Sequence, residues 1–138
     1  MTNFLLAPIH MIRDIRALGG AISRWGAALN IPQLIGGLIF ISTPEGVAIL
    51  LTEILCLLIA GQIHRRHKFS RLISLCHIPW LALLPWLVWR VLTVDHPLIL
   101  TLWLFYVIVT IAVSLAFDIR EVLQYRKGDK VFAWAKGA

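Results

Sequence analysis

Charged side chains are scarce in this sequence. Only 14% of its 138 residues are Asp, Glu, Lys or Arg, whereas a soluble domain carries about 25%. Hydrophobic residues make up 59% of the chain, so there is too little polar surface to cover a core in water. The composition excludes an ordinary soluble domain and predicts an integral membrane protein.

The sequence also lacks the short motifs of the common enzyme classes. It contains no GxSxG, HExxH, GxxxxGK[ST] or GxGxxG pattern, which serve nucleophilic, zinc, phosphate and dinucleotide chemistry respectively. Its two cysteines, Cys56 and Cys76, form no CxxC pair and no zinc-ligand spacing. We therefore predict no enzymatic activity, no catalytic residue and no metal site.

What the sequence does contain is a series of long apolar segments. The run from Ile31 to Ile63 is interrupted only by Glu45 and Glu53 among ionisable residues. As one helix it would reach about 50 Å, well beyond the hydrocarbon core of roughly 30 Å. A break is expected at the "STPEG" stretch, where Thr43 is suited to capping a new helix. The pattern predicts an all-α membrane protein, a four-span helical bundle with transmembrane helices at 25–41, 46–63, 72–92 and 97–117.

The remaining segments are expected outside the hydrocarbon, within one membrane domain covering 1–138. Residues 1–24 are amphipathic and predict an interfacial helix, while 118–138 form a cytoplasmic tail. The first predicted span is the shortest, and Asn30, Pro32 and Gln33 interrupt it. An alternative therefore has three spans, with the segment before Ser42 interfacial or re-entrant.

The basic residues are distributed unevenly along the chain. Twelve of the thirteen Lys and Arg fall in 1–24, 64–71 and 118–138, and the two opposite turns contain none. The positive-inside rule then places both termini in the cytoplasm and the protein in the cytoplasmic (inner) membrane. This edge placement indicates lipid as the anionic partner and not nucleic acid. The predicted headgroup anchors are Arg13, Arg16, Arg24, Arg65, Arg66, Lys68 and Arg71.

Glu53 lies near the middle of the second predicted span. An ionisable group at that depth costs about 2.5 kcal/mol or more, so it should face protein and find a partner. Counting residues places Gln33, Tyr106 and Thr110 at similar depth. We expect these four side chains to form a midplane polar cluster in which Glu53 is protonated. Such a cluster fits hydrogen bonding between helices, a contact with another subunit, or a proton or cation site.

His77 lies just inside the cytoplasmic face, with Trp80 one turn further along. Intramembrane histidines ligate haem or donate hydrogen bonds to quinones. His64 is the nearest candidate for a second haem ligand, although it lies at a shallower depth. The plainer interpretation is a hydrogen bond from His77 to a neighbouring helix. The cofactor therefore stays open between none, haem and quinone.

Three functional classes follow from these patterns. The first, which we favour because catalytic motifs are lacking and the loops are short, is a non-catalytic accessory, anchor or assembly subunit of a larger membrane complex. Its partners would be the lipid bilayer and other membrane subunits. The second is a haem- or quinone-contacting anchor that uses His77. The third is a small homo-oligomeric, proton-coupled exchanger that uses Glu53.

Overall fold

The structure, a computed structural model, describes residues 2–137. Within this range the chain is all-helical, and its one strand-like feature is an isolated bridge between Ser70 and Val131. The prediction of a helical bundle is confirmed. The five α-helices are α1 (Thr2–Leu18), α2 (Gly20–Ile39), α3 (Pro44–Arg66), α4 (Trp80–Thr93) and α5 (Leu98–Arg126), and the two short 3-10 helices are Arg71–His77 and Ala133–Ala135.

Three segments of the described chain are long and apolar enough to cross a membrane. They are Pro44–Arg66, Arg71–Thr93 and Leu98–Arg126, where the second, third and fourth spans are predicted. Helix α2 has 20 residues but is not among them, because Arg24, Asn30 and Gln33 reduce its hydropathy. The protein is thus a helical bundle with three helices that fit a membrane, and the crossing of α2 stays a prediction.

The break before α3 follows from local chemistry. Thr43 is extended, and its hydroxyl accepts a hydrogen bond from the Gly46 amide at 3.0 Å. Pro44 occupies the first helical position, where its missing amide hydrogen costs nothing. A Cβ on Gly46 would overlap the backbone carbonyl of Phe40. These features fold α2 and α3 into a close antiparallel hairpin.

The third predicted span is not one continuous α-helix. Arg71–His77 forms a 3-10 helix, and α4 begins only at Trp80, directly after Pro79. Proline has no amide hydrogen and its ring crowds the preceding turn, which disfavours a continuous α-helix through Pro79 and suits a new helix that begins directly after it. The 14 residues of α4 extend only about 21 Å. The span therefore needs the 3-10 turn to cross the bilayer.

The predicted interfacial helix is likewise shorter than expected. Instead of continuing to residue 24, α1 ends at Leu18, because Gly19 and Gly20 adopt φ values of 65° and 76°. This left-handed region favours glycine and interrupts helical continuity. Residues 20–24 instead form the first turn of α2.

Helix α1 packs against the C-terminal part of α3. Its Ala7 and Pro8 pack over Gly61, where a Cβ would overlap the α1 backbone. Further along α1, Met11 packs into a small core with Ala60 and Cys76. Contacts from a long stretch of α1 thus converge near the C-terminal end of α3. The opposite face of α1 exposes apolar side chains, namely Phe4, Leu5, Ile9 and Ile12.

The main core joins α2, α3, α4 and α5. Each helix contributes to one cluster of buried side chains, which contains Leu29, Ile49, Cys56, Trp80, Leu83, Leu87, Leu100, Leu104, Val107 and Ile111. Helix α5 has 29 residues and is about 43 Å long, so its last turns extend beyond a roughly 30 Å hydrocarbon core.

Two hydrogen bonds attach α2 to α5 across a proline. Pro32 has no amide hydrogen, so the carbonyl of Ala28, four residues earlier, loses its helical donor. The Tyr106 hydroxyl donates to that carbonyl at 2.5 Å. One turn away, the indole nitrogen of Trp103 donates to the Pro32 carbonyl at 2.9 Å. The Trp103 ring lies against Gly36, where a Cβ would overlap it.

We predict that Gly36→Ala destabilises the protein by about 1–3 kcal/mol, because the added methyl displaces the Trp103 indole. Gly26→Ala is the matched control in the same helix, since its Cβ would meet nothing closer than 4.0 Å. That variant should be neutral or more stable by up to about 1 kcal/mol. Thermal unfolding in detergent measures both. Equal effects of the two substitutions would contradict the α2–α5 docking described above.

Candidate functional site

Two polar side chains lie unpartnered in the bundle interior. Glu53 and Gln33 are inaccessible to solvent, and their side-chain oxygens and nitrogen have no hydrogen-bond partner within residues 2–137. The Trp80 indole nitrogen is in the same state. In the α2–α3 hairpin Gly37 packs on Leu50. Gln33 lies one turn before Gly37 in α2, and Glu53 lies one turn after Leu50 in α3. The two side chains are therefore at the same level along the hairpin.

The other two members of the predicted cluster do not join this pair. Tyr106 is 41% exposed, and its hydroxyl is bound to the Ala28 carbonyl. Thr110 donates within its own helix, to the carbonyls of Tyr106 and Val107. The four-membered cluster is thus corrected to the pair Gln33 and Glu53. The physical reason is Pro32, which leaves a carbonyl that takes the tyrosine hydroxyl.

Burial also bears on the contact with a second subunit that the sequence left open. Glu53 is enclosed on all sides in this arrangement. Its carboxyl group is covered by the helices of this chain, and a contact with another subunit stays a prediction.

The end of the bundle at which α3 begins and α4 ends holds a buried ionic cluster. Arg90 Nε donates to Glu45 Oε1 at 2.5 Å, and His96 Nε2 donates to the same oxygen at 3.0 Å. The Arg90 guanidinium also lies 5.9 Å from the Trp86 ring centroid. These contacts join the start of α3 to the end of α4 and to the turn before α5. The sequence signal for the cluster is Arg90 itself, the one cation outside the basic segments.

Arg71 departs from its predicted role. Its side chain is buried and donates hydrogen bonds to Glu121 and to Asp129, the latter at 2.8 Å. Lys136 also donates to Asp129 at 3.0 Å, and these two bonds hold the pKa of Asp129 below its usual range. The prediction of a lipid-headgroup anchor is wrong for Arg71, because two carboxylates from α5 and the tail draw it into the protein.

The other predicted anchors stay at the surface. Five of them are exposed arginines, and Lys68 is exposed although it contacts Asp14 at 3.2 Å. His64 Nε2 donates to the same carboxylate at 3.1 Å. These contacts, with the His64 bond the largest, lower the pKa of Asp14. The exposed arginines are Arg13, Arg16, Arg24, Arg65 and Arg66.

His77 makes the hydrogen bond that the plainer interpretation expects. Its Nδ1 donates to Asp118 Oδ2 on α5 at 2.7 Å. The imidazole also stacks on the Trp80 ring, with centroids 4.0 Å apart and planes 4° from parallel. Asp118 was not among the candidate residues, because nothing local in the sequence links two positions 41 residues apart.

His64 and His77 are not brought together as a ligand pair. His64 uses Nε2 on Asp14 and accepts the Phe69 amide on Nδ1 at 3.4 Å. Both of its ring nitrogens are therefore engaged on the α1 side of α3, whereas His77 faces α5. This arrangement removes His64 from the predicted cofactor contact. Among the described residues, no group of three or more His, Cys, Asp and Glu is placed to hold a metal.

Comparisons with known proteins add no relative. No protein-family model, no curated protein and no solved structure matches this chain. The fold alone therefore defines the class: a small all-helical bundle, compatible with a membrane protein through three long apolar helices. Any role within that class is argued below from the geometry of this chain.

Substitution of the two buried glutamates should change the free energy of unfolding in opposite directions. Glu53→Met should raise the free energy of unfolding by about 1–3 kcal/mol, because it removes a buried group that lacks a partner. Glu45→Met is the matched control and should lower it by about 3–5 kcal/mol, because Arg90 and His96 lose the carboxylate that they bind. Denaturant unfolding in detergent micelles measures both. A loss of stability in Glu53→Met as large as that in Glu45→Met would show that Glu53 has a strong partner.

Proposed function

We propose that this chain is a four-span protein of the cytoplasmic (inner) membrane, with both termini in the cytoplasm. It acts as a non-catalytic accessory, anchor or assembly subunit of a larger membrane complex. The observation that carries this proposal is the pairing of charged side chains across helices at both ends of the bundle. Glu45 pairs with Arg90, and Arg71 pairs with Glu121. Both ion pairs hold separate segments of the bundle together, which is a structural role.

The docking of α2 supports its placement as the first span. Twenty residues extend about 30 Å, which matches the hydrocarbon thickness. Hydrocarbon offers no water to an unpaired carbonyl, and Tyr106 supplies the donor that Ala28 needs. The face of α2 away from the core is apolar, with Ile31, Ile35 and Leu38 exposed. In a helix lying at the membrane surface, water could donate to the Ala28 carbonyl, and the hydrogen bond from Tyr106 would not be needed.

The same geometry supports an interfacial α1. The helix packs against the end of α3 that carries Arg65 and Arg66, where the headgroups would lie. Arg13 and Arg16 of α1 are exposed there as well. At the opposite end Arg90 is paired with Glu45, so the outer side presents little net positive charge. The distribution fits the positive-inside rule with both ends of the chain in the cytoplasm.

The proposed partners are other membrane subunits. The outward faces of α2 and α5 are continuous and apolar, as a surface buried against lipid or against another helix must be. Examples are Ile35 on α2, and Phe105 and Val109 on α5. The described loops are too short to build a separate substrate-binding domain. A subunit of this shape contributes surface and anchoring, while the chemistry of the complex belongs to its partners.

The experiment is purification of the tagged chain from its own cells in mild detergent, followed by native mass spectrometry. A different membrane protein in fixed stoichiometry, absent when an unrelated tagged membrane protein is purified in parallel, is the expected result. A pure monomer or homo-oligomer would contradict the accessory role.

Topology is tested in the same cells with a membrane-impermeant maleimide. Asp95→Cys should react from outside, and Arg13→Cys and Lys127→Cys should not.

A second candidate function rests on the unpartnered Glu53. Proteins retain a costly intramembrane acid mainly where it serves a function, and a proton-coupled exchanger is one such function. Gln33 lies level with Glu53 and would share its proton or ion. Purified wild-type protein in liposomes would then carry a proton flux that Glu53→Met abolishes. Equal flux from both proteins would rule out this candidate.

A further inference from the structure

An open groove lies at the cytoplasmic end of the bundle, away from Glu53. It runs between the 3-10 helix with the start of α4 on one side and the last turns of α5 on the other, and its volume is ≈ 240 Å³. Leu81, Leu115 and Ile119 are among the side chains that make its walls largely apolar. His77 and Asp118 supply polar groups to its lining. The accessory role and the Glu53 exchanger do not use this groove, but its lining includes His77, the residue for which the sequence left a cofactor contact open.

Only one of the two ring nitrogens of His77 makes a hydrogen bond among the described residues. Its Nδ1 is held by Asp118 and its ring plane by the stack on Trp80. Its Nε2 has no partner among residues 2–137, and it is not among the enclosed polar atoms, so it is accessible at the groove. With Nδ1 protonated against the carboxylate, Nε2 accepts a hydrogen bond when the ring is neutral and donates one when the ring is charged. The groove thus offers one oriented nitrogen inside an apolar wall.

The depth of the groove is set by α5. Asp118 is the first charged residue after the long apolar run that begins at Leu98. The lining continues from Leu81 and Leu115, on the bilayer side, to Arg126, in the last turn of α5. A ligand arriving from the bilayer would therefore meet His77 where hydrocarbon gives way to headgroups. That position fits an amphiphile with an apolar tail and one polar end.

We propose that this groove binds the head of a lipophilic quinone or quinol, with His77 Nε2 hydrogen-bonded to a ring oxygen. A nitrogen that can accept or donate suits both forms, since a quinol hydroxyl donates and a quinone carbonyl accepts. Pockets that enclose whole drug-sized ligands measure about 300–1,000 Å³. At ≈ 240 Å³ the groove holds a single substituted ring and leaves the tail in lipid.

The charge next to His77 favours this ligand over a phospholipid headgroup, since Arg126, the cation of the lining, lies two turns of α5 beyond Asp118. Asp118 places a carboxylate beside the position of the polar end, and a phosphate there would meet a like charge. A neutral ring oxygen has no such penalty and needs only the one hydrogen bond. The proposal does not rest on the accessory role, because the groove is formed by this chain alone.

The test uses the full chain in lipid nanodiscs, titrated with decylubiquinone and followed by quenching of tryptophan fluorescence, with Trp80 stacked on His77 as the local reporter. Wild type should saturate. His77→Ala should bind at least about tenfold more weakly, since it loses one hydrogen bond from an oriented imidazole. His67→Ala is the matched control, an exposed histidine near the same end of the bundle, and should bind like wild type.

A second variant tests the groove independently, in case His77→Ala does not fold. Leu81 is 62% exposed, so Leu81→Trp can fill the groove without disturbing the His77–Asp118 bond, and it should also abolish saturable binding. Decylbenzene, which has the tail and ring but no ring oxygen, should neither saturate nor compete. Wild-type affinity in both His77→Ala and Leu81→Trp would overturn the proposal. Equal competition by decylbenzene would overturn it too, because the groove would then be a general hydrocarbon slot.

Discussion

A backbone carbonyl without a helical donor determines how this bundle is assembled. Pro32 removes the amide that Ala28 would need, and Tyr106 replaces it from the neighbouring helix. In water this exchange would contribute little, since solvent could satisfy the carbonyl equally well. In hydrocarbon it is required, because an unpaired carbonyl there costs several kcal/mol. This bond helps to fix the position of α2 against α5, while the packing of Gly37 on Leu50 in the α2–α3 hairpin sets Gln33 level with the buried Glu53.

The polar residues divide into two groups that behave differently. At both ends of the bundle they are paired: Glu45 with Arg90 and His96, and Arg71 with Glu121 and Asp129. Each pair joins segments that are distant in sequence, and removing one partner would leave a buried charge. In the interior, by contrast, Glu53 and Gln33 have no hydrogen-bond partner among residues 2–137. The paired residues at the two ends stabilise the fold. The unpaired residues in the interior are the candidates for a role other than stability.

Much of the fold follows from patterns that are local in sequence. Long apolar runs and the cap at Thr43 predict the helices and the break at "STPEG", because both depend on neighbouring residues only. Pro79 likewise predicts a kink in the third span from local chemistry alone, but not that the residues before it form a 3-10 helix. Depth counting also placed Gln33 level with Glu53, since both are counted from the same turn.

Pairings between distant residues could not be predicted in this way. Arg71 lies in a basic loop and was assigned to headgroups, but Glu121 and Asp129 reach it only after α5 and the tail fold back. Asp118 could be linked to His77 only once the helices were packed. Tyr106 was given the correct depth and the wrong neighbour, because depth does not specify which way a side chain points around its helix.

The central claim is that α2 lies within the bilayer, and a spin label at Ile35 tests it most directly. Ile35 is exposed on the outward face of α2, so the label should not disturb the packing against α5. In nanodiscs, power saturation should show strong relaxation by oxygen and little by a water-soluble nickel chelate, as for a label on Val109 of α5. Relaxation by the nickel chelate equal to that of a label on exposed Arg13 would place α2 at the surface and contradict this account.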